Sequence, residues 1–352
     1  MEKDLKTREF VKRALIITGA VALLLLLIFV IQQVMQILLV AFAGIVLAVF
    51  LDGLSEFITK KVAIPRRAAL AIVITAIILV LFAGGWIIGP RIVEQFSGIS
   101  EKIPEALDSI QNSLKEYEWG RKLLNNIPGM EDVTTFGSEV VWGITGVFST
   151  AFGTIASLFI VLFIGLYGAF DPRLYVNNFL KLIPPSNRER AHSIIDSLGR
   201  ALRGWLIARF TSMTIVGILT AIGLSIIGVQ LALALALIAA ILSFIPFIGP
   251  LLGAIPALLV ALAESPILML YVGINYLIVE SLESYLITPL VFKSALSIPP
   301  AFIITIQVVM GTLFGAMGVV MATPLTVVLI VLVQTVYIED ILKDEVKVMG
   351  QE

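Results

Sequence analysis

Two carboxylates stand where an apolar sequence rarely keeps one. Glu280 and Glu283 lie inside the apolar stretch 266–288, three residues apart and so on one face of a helix. A carboxylate at membrane depth faces a bundle interior or a wet cavity. Its chemistry there is exchange: it takes a proton or a monovalent cation, or it accepts hydrogen bonds from a polar solute. By depth Glu280 is the stronger candidate, while Glu283 is close enough to the end of the stretch to reach headgroup water. Asn275, Tyr276, Ser284, Tyr285 and Thr288 add polarity to the same stretch, and interhelical hydrogen bonding is the ordinary role of such residues.

A second kind of chemistry comes from freed backbone. The apolar run 231–262 would make one helix of about 48 Å, against a hydrocarbon core of roughly 30 Å. It contains Pro246, Gly249, Pro250 and Pro256. Proline lacks the N–H a helix interior needs and glycine tolerates turn angles, which predicts a break at 246–250 just after Ser243. The run 301–337 is again too long for one span and is interrupted by Gly311, Gly315, Gly318 and Pro324. Irregular backbone at membrane depth persists only where protein or a water-filled cavity satisfies it, so paired interruptions mark a pathway. If both are re-entrant they enter from opposite faces.

The composition agrees with a membrane setting. Of 352 residues 59% are hydrophobic and 14% charged, and the mean hydropathy is +1.04. This is an all-α, polytopic membrane protein of about eight membrane segments, two of them broken, with a small extracytoplasmic helical domain. The net charge of −1 with no basic tract gives no sign of nucleic acid, and the absence of cysteine removes disulfides and thiol chemistry.

Taken in order, 14–31 and 34–51 are apolar runs joined only by Gln32 and Gln33, which predicts a tight hairpin; the N-terminus is an uncleaved first span rather than a signal peptide. A third span, 68–89, follows Pro65, Arg66 and Arg67. Five bases in 1–13, and Lys60, Lys61, Arg66 and Arg67 in 52–67, place both segments in the cytoplasm. Residues 90–139 hold nine acids and five bases, and Ile92, Phe96, Ile99, Ile103, Leu107, Ile110, Leu114 and Tyr117 make an apolar helical seam that must pack on the same subunit or a second one. In 140–170, Gly143, Gly146, Gly153, Gly165 and Gly168 suit close helix approach. Residues 171–209, with seven bases against three acids, return to the cytoplasm. There Ser186 and Glu189 form a capping-box pattern, opening an amphipathic helix expected along the inner interface with Arg188, Arg190, Arg200 and Arg203 near headgroups; His192 is a solvated helix residue. Residues 210–338 carry one base, Lys293, and three acids, Glu264, Glu280 and Glu283. The domain plan is therefore 1–89, 90–139, 140–170, 171–209, a transport core at 210–338, and a cytoplasmic tail at 339–352.

FIPFIGPLLGAIP at 244–256, VESLESYLITPLVF at 279–292 and PPAFIITIQVVMGTLFGAMGVVMATPL at 299–325 resemble the autoinducer-2 exporter family of permease-like membrane proteins, over nearly the whole chain. Ser243 and Pro299 stand where asparagine and histidine are frequent in that family. The resemblance implies a transporter that exports a small signalling molecule or exchanges sodium or lithium for protons, and homo-oligomers.

The expected function is secondary transport along a pathway lined by Glu280, Glu283, Ser243, Pro246, Gly249, Pro250, Asn275, Gly315 and Pro324. A channel or non-transporting scaffold is the alternative, told apart by whether flux is saturable and coupled. An enzyme is not expected: no H-E-x-x-H, G-x-S-x-G or cysteine is present. No cofactor or metal is expected. The expected partners are a small solute or monovalent cation or proton, and membrane lipid, and the expected location is the cell membrane with both termini cytoplasmic.

Overall fold

A computed structural model describes residues 2–116, 155–291 and 299–344. Among them the regular structure is helical throughout. Helix α1 is Glu2–Lys61, α2 Arg66–Glu116, α3 Ile155–Phe170, α4 Pro172–Leu180, α5 Arg188–Ile227, α6 Ala232–Leu242, α7 Ile248–Glu264, α8 Pro266–Leu282, α9 Thr288–Val291 and α10 Pro300–Leu332. Helix α8 runs into α9 through a π-helical turn, Glu283–Ile287, and α10 continues as a π-helical stretch, Val333–Leu342. Among the described residues five helices are long and apolar enough to cross a membrane, six if the bent pair α3–α4 counts as one span. The protein is a multi-pass membrane protein.

Helix α1 corrects one expectation. It runs unbroken through Gln32 and Gln33, so these glutamines are not the tip of a hairpin. Glutamine is itself a good helix former, so two adjacent amides do not interrupt the helical backbone. A continuous helix crosses once here rather than twice, and it does not return the N-terminus to the side of Lys61. Helix α2 likewise continues past its apolar part through Pro90 and Pro104 into the region expected as a separate extracytoplasmic domain. Most of the apolar seam at 92–117, residues 117–154 with Gly143, Gly146 and Gly153, and Lys293 fall outside the residues and side chains described.

Close approach by small residues holds where it can be seen. A Cβ added to Gly165 would meet Leu47 at 2.6 Å, and one added to Gly168 would meet Ala48 at 3.0 Å, so α3 lies directly on α1. This packing uses the glycine face within the chain. At Asp171 the chain bends by 88° between α3 and α4. The Asp171 carboxylate accepts a hydrogen bond from the Leu174 amide and Pro172 opens α4, an N-terminus in the preferred chemistry.

The amphipathic stretch after Pro185 is not a separate interfacial helix. It begins α5, which continues straight into the next span for 40 residues. The capping box does not form either: Asn187 is the N-cap and makes no side-chain cap bond, because Pro185–Asn187 is a short 3₁₀ turn. Helix α5 ends at Gly228 (φ 91°), whose amide and that of Val229 both reach the Leu224 carbonyl.

The two interrupted runs are hairpins. The first is α6–α7, arms of 11 and 17 residues. A Cβ on Gly249 would land on the Leu242 carbonyl, and one on Gly253 would meet the Ala239 Cα at 3.1 Å, so the arms touch backbone to backbone. In the second, Gly315 (φ 63°, ψ −150°) takes a conformation open only to glycine. A Cβ on Gly318 would land on the Met310 carbonyl, eight residues back, which is possible only if the chain has reversed. Pro256 and Pro324 are not breaks; both are buried inside helical arms.

The bases of the two hairpins lie toward opposite ends of the bundle. At the base of the first, the Gln95 amide oxygen accepts from the Ala234 amide at 2.9 Å, and Lys102 pairs with Glu264 and bonds Gln230. Gln95 and Lys102 belong to α2 beyond its apolar part, which ends near Ile87. At the outgoing end of the second, Arg190 of α5 bonds Thr335 O, Glu339 and Asp340. On that same side Asp52 and Glu56 of α1 pair with Arg66 and Arg203. The tip of the second hairpin reaches Gln32 of α1, which donates to Leu313 O at 3.4 Å, and Gln32 lies about 30 Å along the helix from Asp52.

Candidate functional site

Helix α5 brings a base into the helical bundle. Arg209 lies about 9 Å along the helix beyond Arg203, which is held by the ion pairs at the membrane edge. It is 4% exposed. A buried guanidinium needs a counter-charge, and the π-helical turn that continues α8 supplies one: Arg209 Nη1 donates to Glu283 Oε1 at 3.0 Å. Ser212, one turn further along α5, donates its hydroxyl to the same oxygen at 2.6 Å. Glu283 is 5% exposed. It opens the π-helical turn Glu283–Ile287, and such insertions recur at functional sites.

The tip of the first hairpin completes the site. Arg209 Nε donates to Phe244 O at 3.2 Å, so one planar guanidinium joins α5, α8 and the hairpin tip. Two residues on, Pro246 O accepts from Gln307 Nε2 of α10 at 3.0 Å. Gln307 is fully buried, seven residues into the second hairpin. The tip of the first hairpin and the first arm of the second therefore meet at one polar centre. Its aromatic wall is Trp205 edge-on to Phe244 at 5.7 Å, with Phe210 stacked on Phe50 at 4.4 Å. Arg209 Nη2 and Gln307 Oε1 are buried there without a hydrogen-bond partner among the described residues.

The tip is strained. Phe247 has φ 64° and ψ −52°, and the Ile248 amide reaches back to Pro246 O at 2.8 Å, closing a three-residue turn in a conformation that L-residues avoid. Sharp reversal within a few residues forces it, since Gly249 is already committed to the contact with Leu242.

The expected site residues divide accordingly. Glu283, Pro246, Gly249 and Pro250 gather at the tip and its first turn. Glu280, one turn before Glu283, is only partly buried; the order of burial is the reverse of that expected, because α8 leans its Glu283 face onto α5. Ser243 is buried, but its hydroxyl donates to Ala239 O at 2.7 Å within its own helix. Asn275 packs tightly on Gly223, a contact between α8 and α5 away from the cluster, with its Nδ2 unpartnered among the described residues. Gly315 is the exposed tip of the second hairpin, and Pro324 lies in that hairpin's returning arm. Ser284 and Tyr285 point away from the bundle. His192 is half-exposed, its Nδ1 3.1 Å from Asp196.

Arg209 and Gln307 were not among the expected residues. Arg209 closes a base-rich stretch and reads as its last loop residue. The signal against that reading is local: Leu206, Ile207 and Ala208 precede it and Phe210 follows, so it already lies inside an apolar run.

The sequence profile of the AI-2E family transporters matches residues 19–338. YueF of Bacillus subtilis is 29% identical over 294 residues, covering 80% of this chain and 79% of its own. YrrI of the same organism is 27% identical over 309 residues, covering 82% and 84%. YhhT of Escherichia coli is 23% identical over 303 residues, covering 83% and 82%. All three are named as candidate transport proteins, with no cargo in the name.

Proposed function

The chain belongs to the AI-2E transporter family, and on that premise we propose a secondary transporter whose pathway passes the tip of the α6–α7 hairpin. The observation that carries this is the Arg209–Glu283 pair, buried in the membrane and bonded to broken backbone at Phe244. Buried charges are costly to hold in lipid, and two hairpins meeting on them is the arrangement through which transporters expose a central site to each face in turn. Glu283 and Glu280 are the exchanging carboxylates. The Pro246 carbonyl lines the path, Pro250 stiffens the first turn of α7, and Gly249 and Gly315 shape the two tips. Ser243, Asn275 and Pro324 support the hairpins and α8.

For the cargo, exchange of sodium or lithium for protons uses Glu283 directly. Export of a small hydroxylated signalling molecule is supported by a different observation: Glu283 is already balanced by Arg209, while one donor, Arg209 Nη2, and one acceptor, Gln307 Oε1, are unpartnered nearby among the described residues. The location proposed is the cell membrane, with the C-terminal tail cytoplasmic beside Arg190 and the N-terminus across the membrane from Lys61. Homo-oligomers are part of the proposal.

The test is a panel of monovalent cations and neutral hydroxylated solutes in proteoliposomes containing a pH dye. Saturable, coupled flux of one class supports transport, and ohmic conductance without saturation would make the protein a channel.

A further inference from the structure

We propose that Arg209 is a tethered counter-ion: it neutralises Glu283 whenever no solute cation or proton does so, and its exchange for that cation moves the tip of the α6–α7 hairpin. This rests on the transport reading and adds the coupling step to it.

The geometry carries the proposal. Glu283 faces Arg209 and Ser212 on α5, Glu280 on its own helix, and the hairpin tip, itself bonded to Gln307 of α10. Of these only Arg209 is a cation. A second positive charge on Glu283 would sit against the guanidinium in a low-dielectric site, so a loaded cation and Arg209 exclude each other. The guanidinium is rigid and planar, with Nη1 on Glu283 and Nε on Phe244 O. Rotating Nη1 off the carboxylate therefore also withdraws Nε from the tip. The displaced charge has a second seat: Glu280, a half-buried carboxylate one helical turn before Glu283. Occupancy of Glu283 is thus read at the hairpin tip, where Phe247 holds a strained turn ready to change.

The full chain contains no cysteine, so F247C gives a single reporter on the tip. It is reconstituted in phosphatidylethanolamine–phosphatidylglycerol vesicles, and the rate of maleimide labelling is measured against sodium at fixed pH and against pH without sodium. At least one series should change the rate by about threefold or more, and which series does so identifies the competitor. E283Q on this background should hold the rate at its loaded value under all conditions. R209Q, lacking the competitor and the link to the tip, should give a flat labelling rate, while its half-saturation point, read separately by radioactive sodium binding or by proton uptake with the pH dye, moves about tenfold lower in sodium or to higher pH. R209Q/E283Q removes both charges of the buried pair and serves as the folded, unresponsive control. A flat rate in both series, a persistent response in E283Q, or an unshifted midpoint in R209Q overturns the proposal. Flux in the parent with a flat labelling rate contradicts this proposal alone; a responsive tip with no flux of any tested solute contradicts the transport reading alone.

Discussion

At the scale of single residues, the pair Arg209–Glu283 decides most of the energetics of the site. Removing one member leaves the other charge buried, which costs about 3–5 kcal/mol, whereas removing both is far milder. R209Q and E283Q should therefore each lower the unfolding temperature in detergent, and the double variant should recover at least about 1.5 kcal/mol of their sum. Additive losses would mean the two charges do not share one environment. At Phe247 the backbone, not the side chain, is the liability: glycine adopts its φ of 64° freely, so F247G should raise stability by about 1 kcal/mol in the same assay. Much of this was visible in the sequence. Two acids in an apolar helix point to the right face of α8. Their order of burial depends on which neighbour α8 leans against, which spacing along one helix does not encode. Arg209 was hidden for a related reason: a base at the edge of a charged stretch looks like loop until the helix carrying it is known to run 40 residues without a break.

At the scale of elements, the hairpins rest on two glycines, and the prolines beside them contribute less. A Cβ on Gly249 would collide with the Leu242 carbonyl, and Gly315 holds angles closed to other residues. G249A and G315A should each destabilise the folded protein by about 2 kcal/mol or more and abolish flux. P324A, inside a packed helical arm, should leave flux within about twofold, since its ring fills space without setting a turn. Equal effects of G315A and P324A would remove the turn assignment. Both interruptions were legible, because an apolar run too long for one span must turn somewhere and glycine and proline mark where. The hairpin expected in α1 was not formed, since Gln32 and Gln33 lower apolar density without disturbing helical backbone. The bend at Asp171 was missed because an N-cap followed by proline is a short signal between two longer patterns.

For the whole molecule, the two hairpins, their bases toward opposite ends of the bundle, are tied down at each end by ion pairs: Lys102–Glu264 at one, and Arg66 and Arg203 with Asp52 and Glu56 at the other. A continuous α1 expects the N-terminus and the C-terminal tail on opposite faces. Protease accessibility of N- and C-terminal tags in intact and in opened cells checks this, and cleavage of both tags from one side would mean that α1 turns near Gln32. The central claim, that transport runs through the buried charges at the meeting of the hairpins, is tested most directly by proteoliposome flux of E283Q beside T220V, a buried polar change outside the site. With both variants folded and equally reconstituted, E283Q should lose coupled flux by at least about a hundredfold while T220V keeps it; equal flux in the two variants would contradict the account.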